Sequence, residues 1–479
     1  MMITRRDFIS RSALLTSAAA VGLGCAKQPR PNILWIIAED ICPDLGCYGE
    51  QHVHTPNIDG FAAEGVRYNC AFTTSPVCSP SRSAFMTGMY QTTIGAHNHR
   101  SHRRDGYRLP DGVELVTHYF REAGYFTANV TTPAPGIEGT GKTDFNFSCD
   151  QPFDGTYWDQ REPGTPFFAQ INLSETHRTF KKAEQNPIDP GDVVLPPYYP
   201  DHPVTRHDWA LYLDTVGILD RKVGAILDRL EQDDLLRNTV VFFFGDNGRP
   251  HVRGKQWLYD GGIHIPLIIR WPDERDRGTV SDDLVSAIDI TATSLHLAGI
   301  PVPGPMQGRI FAGPGAVQRD FIVAARDRCD ETVDLIRCVR TQKYKYILNY
   351  YPERPYTQLN RYKENEYPVL RLMRRLAARG ELTPVQERFF ADNRPAEELY
   401  DLQADPHETV NLAADQSHTA VLQRMRDRLD SWIESTGDLG RVSENREILD
   451  YYEALMKDRY DEQIKIKYRE EGMSLDFFS

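Results

Sequence analysis

Five segments of the chain are apolar at nearly every position: Asn32–Ala38, 125–130, Phe167–Leu173, 239–244 and 265–271. A short run without polar alternation predicts a strand covered on both faces, hence a mainly parallel sheet between layers of helix. Between these runs the period changes. From Trp209 onward Leu213, Val216, Leu219, Val223, Ile226 and Leu230 recur every three or four residues, the spacing of a helix with one buried face. Residues 281–297 repeat that spacing and stop before Gly299 and Pro301, which predicts another helix. Strands alternating with helices make an α/β fold, a mixed, mainly parallel sheet whose ligands lie beyond the carboxyl ends of its strands.

A Gly/Pro-rich stretch over 301–315 ends this pattern. Strand-like pieces follow at 321–324 and 344–348, then a charged, Pro- and Tyr-rich segment over 351–394 that reads as a helical insertion. Residues 444–479 have an amphipathic, charged helical pattern. The expected organisation is a large α/β unit over 31–316 and a smaller C-terminal α+β domain over 318–479.

The first residues have a separate logic. Thr4-Arg5-Arg6-Asp7-Phe8-Ile9 is a twin-arginine pattern, followed by a weakly apolar run over 12–24 that is too short to span a bilayer. Residues 1–25 therefore read as a cleavable export signal. Val21-Gly22-Leu23-Gly24-Cys25 permits lipoprotein processing at Cys25, although Gly22 stands where a larger aliphatic residue is usual. The mature protein is expected to be periplasmic or otherwise extracytoplasmic, soluble or anchored by lipid at Cys25.

Composition adds an exclusion. The 479 residues are 40% hydrophobic and 26% charged, as in an ordinary globular protein. Asp and Glu number 68 against 55 Lys and Arg, a net charge of −13. That balance argues against nucleic acid as a partner but leaves room for a local basic pocket and an anionic substrate.

Three features carry candidate chemistry. Cys78-Ser79-Pro80-Ser81-Arg82 leads into Ser83-Ala84-Phe85-Met86-Thr87-Gly88. A small-residue turn opening a helix directs backbone N–H groups at an anion beside Cys78, with Arg82 close by; the alternative is a buried structural cysteine. Glu39 and Asp40 end the first apolar run, and Asp246 and Asn247 end another. Two pairs of hard oxygen ligands at one sheet edge suit Ca²⁺ or Mg²⁺, while Asp-Asn-Gly is also a turn sequence. A dense group, His97, His99, Arg100, His102, Arg103 and Arg104, lies downstream of the helix. It reads either as a substrate-binding cluster or as a solvated basic loop.

These pieces, with Arg30-Pro31-Asn32-Ile33-Leu34, Leu45-Gly46-Cys47-Tyr48-Gly49, Thr55-Pro56-Asn57-Ile58-Asp59, Lys255 before Tyr259-Asp260-Gly261-Gly262, and Glu398-Leu399-Tyr400-Asp401-Leu402, occur in the order of a known family. From about Pro31 to Ala413 the chain resembles the formylglycine-dependent sulfatases of the alkaline-phosphatase-like superfamily. Its general layout and Gly254-Lys255-Gln256-Trp257-Leu258-Tyr259 resemble the heparan N-sulfatase-like branch.

The resemblance implies a catalytic role for Cys78, oxidised to formylglycine by a formylglycine-generating or anaerobic maturase enzyme. The hydrated aldehyde is the nucleophile that displaces sulfate. It implies one Ca²⁺, or Mg²⁺, held by Asp40, Asp246, Asn247 and the modified Cys78; Glu39 stands where an aspartate is usual. Arg82 would brace nucleophile and metal, Lys142 and Lys255 would hold sulfate, and His177 would be the general acid. The family's usual histidine two residues after Lys142 is Asp144 here, so either that role is dropped or another histidine, His99 or His102, supplies it; His99, Arg100 and His102 are expected to face the pocket and bind substrate. Arg326 and Arg328 are expected as further substrate contacts. The implied activity is release of sulfate from esters or sulfamates of a sulfated carbohydrate. The alternatives are a formylglycine-dependent phosphodiesterase or phosphonate monoester hydrolase, and a catalytically silent glycan-binding lipoprotein. Six further cysteines besides Cys25 and Cys78 leave disulfides open, and spacing does not give their pairing.

Overall fold

A computed structural model describes residues 30–101 and 105–474. The apolar runs become a seven-stranded sheet. Its strands are β1 (Asn32–Ala38), β2 (Val66–Phe72), β3 (Phe126–Val130), β4 (Phe167–Leu173), β5 (Thr239–Gly245), β6 (Leu267–Arg270) and β7 (Thr279–Ser286). They lie in the order β3-β4-β1-β5-β6-β2-β7. All neighbours are parallel except β6, which runs against both β5 and β2. The sheet is thus mixed and mainly parallel, as the unbroken apolar runs require.

Register places the chemistry. On β1, Ala38 lies opposite Leu173 of β4 and Gly245 of β5. The three central strands therefore end level, and the residues that follow them emerge together at one sheet edge. Glu39 and Asp40 follow β1, Ser174 to His177 follow β4, and Asp246 and Asn247 follow β5. Beneath them Trp35 is fully buried, with Phe85, Phe168 and Phe244 set edge-on around it. Phe85 belongs to the helix Cys78–Thr87, so this aromatic cluster docks that helix onto the sheet with its first residue at the same edge.

The expected helix over 281–297 is corrected. Its first part is the edge strand β7, parallel to β2, with Val280 exposed and Val285 buried. The helix covers only Ala287–Leu297. It starts where a capping box forms: the Ser286 N–H donates to Asp289 Oδ2 at 2.9 Å. Local capping outweighed an apolar period that continued across two elements.

A second sheet holds β8 (Ile322–Arg326), β9 (Ile336–Arg340), β10 (Tyr344–Asn349) and β11 (Glu397–Asp401), all antiparallel. The helix Thr419–Thr436 covers it, with Leu422, Met425, Leu429 and Trp432 packed on Val323, Val339, Tyr346 and Leu399. The segment over 351–394 contains the helices Arg361–Glu366, Pro368–Ala378 and Pro384–Glu387. The tail forms the helix Arg446–Glu470. Both sheets belong to one compact unit that begins at Pro31. Among the described residues no helix is long and apolar enough to cross a membrane, and every cysteine there is a free thiol. The twin-arginine pattern, Cys25 and His102 lie outside the described residues.

Candidate active site

At the level ends of β1, β4 and β5, four carboxylates meet three cations. Cys78 opens its helix 3% exposed, with Sγ 3.2 Å from Lys255 Nζ and 3.7 Å from Asp40 Oδ1. Lys255 Nζ donates to both Asp40 oxygens, at 2.8 and 2.7 Å. Arg82, one turn along the helix, directs Nε and Nη2 to Asp246 Oδ2 at 3.0 and 2.9 Å, and Nη1 to Asn172 Oδ1 at 2.5 Å. Lys142 Nζ lies 2.8 Å from Glu39 Oε2 and 3.7 Å from Asp144.

Backbone contacts lock this set. The Asp40 N–H donates to Asp246 Oδ1 at 2.9 Å, and Ser81 Oγ donates to the Asp246 carbonyl at 2.5 Å. Asp40 itself has φ 50. Such left-handed backbone in a residue with a side chain persists only where its surroundings impose it, and it clusters at functional sites. Gly248, after Asp246-Asn247, is required by close approach: a Cβ there would lie 2.4 Å from the Gly261 carbonyl oxygen.

The charges set the protonation states. Burial pushes Asp40 upward, but Lys255 and then His177 outweigh it and hold the carboxyl at about 2. Burial raises Asp246 against the pull of Arg82. Burial also lifts the Cys78 thiol to about 12, despite Lys142 and Lys255 nearby. An unmodified Cys78 is therefore a thiol at neutral pH, and a thiol is a weak nucleophile.

The donor set fits a hard divalent cation. Glu39, Cys78 and Asp246 each offer a ligand atom, all within 4.8 Å of one another and buried. Asn247 donates Nδ2 to Asp40 Oδ1 at 2.8 Å, which leaves its buried Oδ1 without a partner among the described residues. A buried acceptor lacking a donor is costly unless something supplies positive charge. Carboxylate and amide oxygens are the ligands of Ca²⁺ and Mg²⁺.

Above Cys78 opens a cavity of about 180 Å³. His99, Lys142, His177 and Lys255 line it together with Arg100. His177 accepts or donates at Nδ1 to the Arg178 carbonyl at 2.6 Å, and a carbonyl can only accept, so Nδ1 carries the proton. Its Nε2 therefore faces inward, 3.8 Å from Asp40 Oδ2. A second cavity of about 530 Å³ meets the first at a wall shared by Lys142, His177, Arg178 and Thr179.

The expected residues do not all meet here. Arg326 and Arg328 stand apart from this cavity. Arg328 is 2% exposed and spends its fork on Glu444, at 2.5 and 2.9 Å, and on the Asp330 carbonyl. Arg326 is buried over the Trp257 ring, 3.6 Å from Asp334. Asp144 stands 3.6 Å from Arg82 and so adds a negative charge where the family has a histidine. His99 Nδ1 lies 3.0 Å from Asp330 Oδ1, an orienting contact between two residues that line the cavity. The lining also includes Asp330, Tyr362, Glu366, Met456, Arg459 and Tyr460, which sequence reasoning missed. They come from segments far apart in the chain and share no motif; the amphipathic pattern of the tail was the one available signal.

The sulfatase family model matches residues 31–300, and that of the N-sulphoglucosamine sulphohydrolase C-terminal region matches 251–367. An ulvan-active sulfatase of Formosa agariphila is 34% identical over 469 residues, covering 87% of this chain and 77% of that protein. A solved 2-O GAG sulfatase superposes with TM-score 0.63 at 20% identity, over 88% of this chain and 96% of the other. The phosphonate monoester hydrolase of Agrobacterium radiobacter superposes with TM-score 0.61 at 18% identity, over 87% and 99%. The two structures share the fold, and the fold does not separate sulfur from phosphorus chemistry.

Proposed function

As a member of the sulfatase family, the chain is a sulfuric ester hydrolase, and we propose that it releases sulfate from a sulfated polysaccharide outside the cytoplasm. The observation that carries this reading is Cys78, set beneath the cavity between Lys255 and the Arg82–Asp246 pair. A maturase would convert Cys78 to formylglycine, and Glu39, Asp40, Asp246 and Asn247 would hold Ca²⁺ or Mg²⁺. Burial that keeps the Cys78 thiol protonated speaks against an unmodified thiolate as the nucleophile, and the orphaned Asn247 oxygen supports the cation. When present, the aldehyde hydrate supplies the attacking oxygen and the cation draws charge from it.

The chain's own residues do the rest. Lys255 and Lys142 hold the sulfate oxygens, in a site whose four carboxylates outnumber its three cations until a divalent cation is bound. Arg82 fixes Asp246, and through the Asp40 N–H it fixes Asp40 as well. His177, with its Nδ1 proton held on the Arg178 carbonyl, acts as the imidazolium: the second proton, at Nε2 beside Asp40, passes to the departing sugar oxygen and leaves the neutral ring. His99, oriented by Asp330, lines the same cavity and contacts substrate. The ulvan-active relative supports a polysaccharide ester, and the match to the N-sulphoglucosamine sulphohydrolase C-terminal region supports testing sulfamates beside it. The twin-arginine pattern supports export.

Desulfation of defined sulfated oligosaccharides, run beside a bis-aryl phosphate, tests this reading. Sulfate release faster than phosphate release is expected. Faster phosphate turnover would make the protein a phosphodiesterase, and no turnover of a fully modified Cys78 would make it a binding protein.

A further inference from the structure

The tail helix Arg446–Glu470 forms one wall of the cavity above Cys78. Met456 and Tyr460 are buried on its inner side, and Arg459 reaches the same cavity. The helix is strapped in place. Lys467 Nζ donates to the Asn365 carbonyl at 2.7 Å, Tyr468 Oη to Glu364 Oε2 at 2.7 Å, and Arg361 Nε to Asp461 Oδ1 at 2.6 Å. At its other end the Tyr452 hydroxyl donates to the Arg100 carbonyl. Arg459 therefore starts from a fixed backbone, which reduces what it would cost to order it on a ligand. Neither family match reaches this helix, since the second ends at residue 367.

Arg100 lines the same cavity as Arg459, from a different part of the chain. Its φ is 63, and Asp330, 3.6 Å from its Nη1, has φ 52. Gln256, also in the lining, has φ 75. Three lining residues thus hold left-handed backbone, the kind of strain that persists at ligand clamps. The acids of the wall are already engaged: Asp330 by His99 and Arg100, and Glu366 by Asn365 Nδ2 at 2.7 Å. Arg459 has no ion-pair partner among the described residues. The hydroxyl of Tyr362, buried in the same wall, has no hydrogen-bond partner among them either.

Lys142 and Lys255 are assigned to the sulfate that reacts, which leaves Arg459, and the Arg100 guanidinium that only one acid, Asp330, approaches, to meet another anionic group. We propose that Arg459 and Arg100 form a second anion subsite, which reads a carboxylate or a further sulfate on the sulfated sugar or its neighbour. This rests on the sulfatase reading above. Arginine suits the task because its planar fork pairs with both kinds of oxyanion. The protein would then prefer a glycan bearing two anionic groups close together, with the tail helix setting that preference.

The test compares three probes: a sulfated disaccharide with a uronate neighbour, the same compound with the carboxyl reduced to an alcohol, and one with a second sulfate. The expected preference for each doubly anionic probe over the neutral one is expressed in KM. In Arg459→Ala that preference falls roughly tenfold, the loss of one charge-assisted contact at a partly exposed site, and Arg459→Lys recovers part of it. Loss with the uronate alone assigns the subsite to carboxylate; loss with the disulfate alone assigns it to sulfate. Equal loss on all three probes, or an unchanged preference, overturns the subsite. The same affinity ratios are measured by calorimetry in the Cys78→Ala background, where turnover is absent. A ratio that falls there although the wild type desulfates no probe keeps the subsite and rejects the sulfatase reading; a ratio that stays constant rejects the subsite.

Discussion

The ammonium of Lys255 lies 2.8 and 2.7 Å from the two carboxylate oxygens of Asp40, and both side chains are cut off from solvent. The same nitrogen stands 3.2 Å from the Cys78 sulfur. One cation thus binds a metal-ligand candidate to the nucleophile position. Lys255→Ala strands a buried carboxylate, which costs about 3–5 kcal/mol. Its urea midpoint should fall accordingly, and turnover should drop at least about 100-fold. Lys255→Arg should restore little of either, because a planar fork cannot replace a compact ammonium shared by three acceptors.

His177 Nδ1 donates to the Arg178 carbonyl, and the role proposed for Nε2 is to pass the second proton of the imidazolium to the leaving group. A proton on the departing oxygen matters most for a poor leaving group. His177→Ala should lower kcat for a sugar sulfate by roughly 10²–10⁴-fold, and far less for nitrophenyl sulfate. Equal losses on both substrates would assign His177 to binding instead.

Chelation addresses Glu39, Asp40, Asp246 and Asn247. A cation present at 100 times its Kd stabilises the fold by about 2.7 kcal/mol. Exhaustive dialysis against a chelator should lower both activity and Tm, and Ca²⁺ should restore them. Glu39→Asp should change the concentration of Ca²⁺ needed, since it moves the carboxylate back by one methylene.

A pH effect is expected away from the reacting groups. Burial, reinforced by Asp330, raises Glu331 from 4.5 to about 7, despite the Arg361 N–H at 2.7 Å. The folded state thus keeps a proton that the unfolded chain loses. Its contribution is fully present below about pH 4.5 and is lost as pH rises to about 7, some 3 kcal/mol at most. Glu331→Gln should gain stability over the wild type across that window and match it at pH 4. Parallel urea midpoints for the two proteins from pH 4 to 8 would refute this.

The central strands were legible because burial on both faces left them no polar position. β2 and β7 were not: Arg67 and Asn69, and Ser281 and Asp283, give them the mixed character of a sheet margin. The α/β class and the sulfatase resemblance followed from local signals, namely the Cys78–Gly88 segment and the acids that end β1 and β5. The far wall was illegible, because Asp330, Tyr362 and Tyr460 meet only after the second sheet and the tail helix have docked. Arg326 and Arg328 show the reverse error. Their charge resembled a binding site in the sequence, yet Asp334, Trp257 and Glu444 consume it internally.

The central claim is that Cys78, converted to an aldehyde, drives sulfate release. Mass spectrometry of the peptide that contains Cys78 tests it most directly, with protein expressed with and without a maturase and sulfate release measured on each preparation. The account predicts a lighter, carbonyl-reactive peptide and sulfate release proportional to its fraction. Full activity from a preparation in which Cys78 is an intact thiol throughout would contradict it.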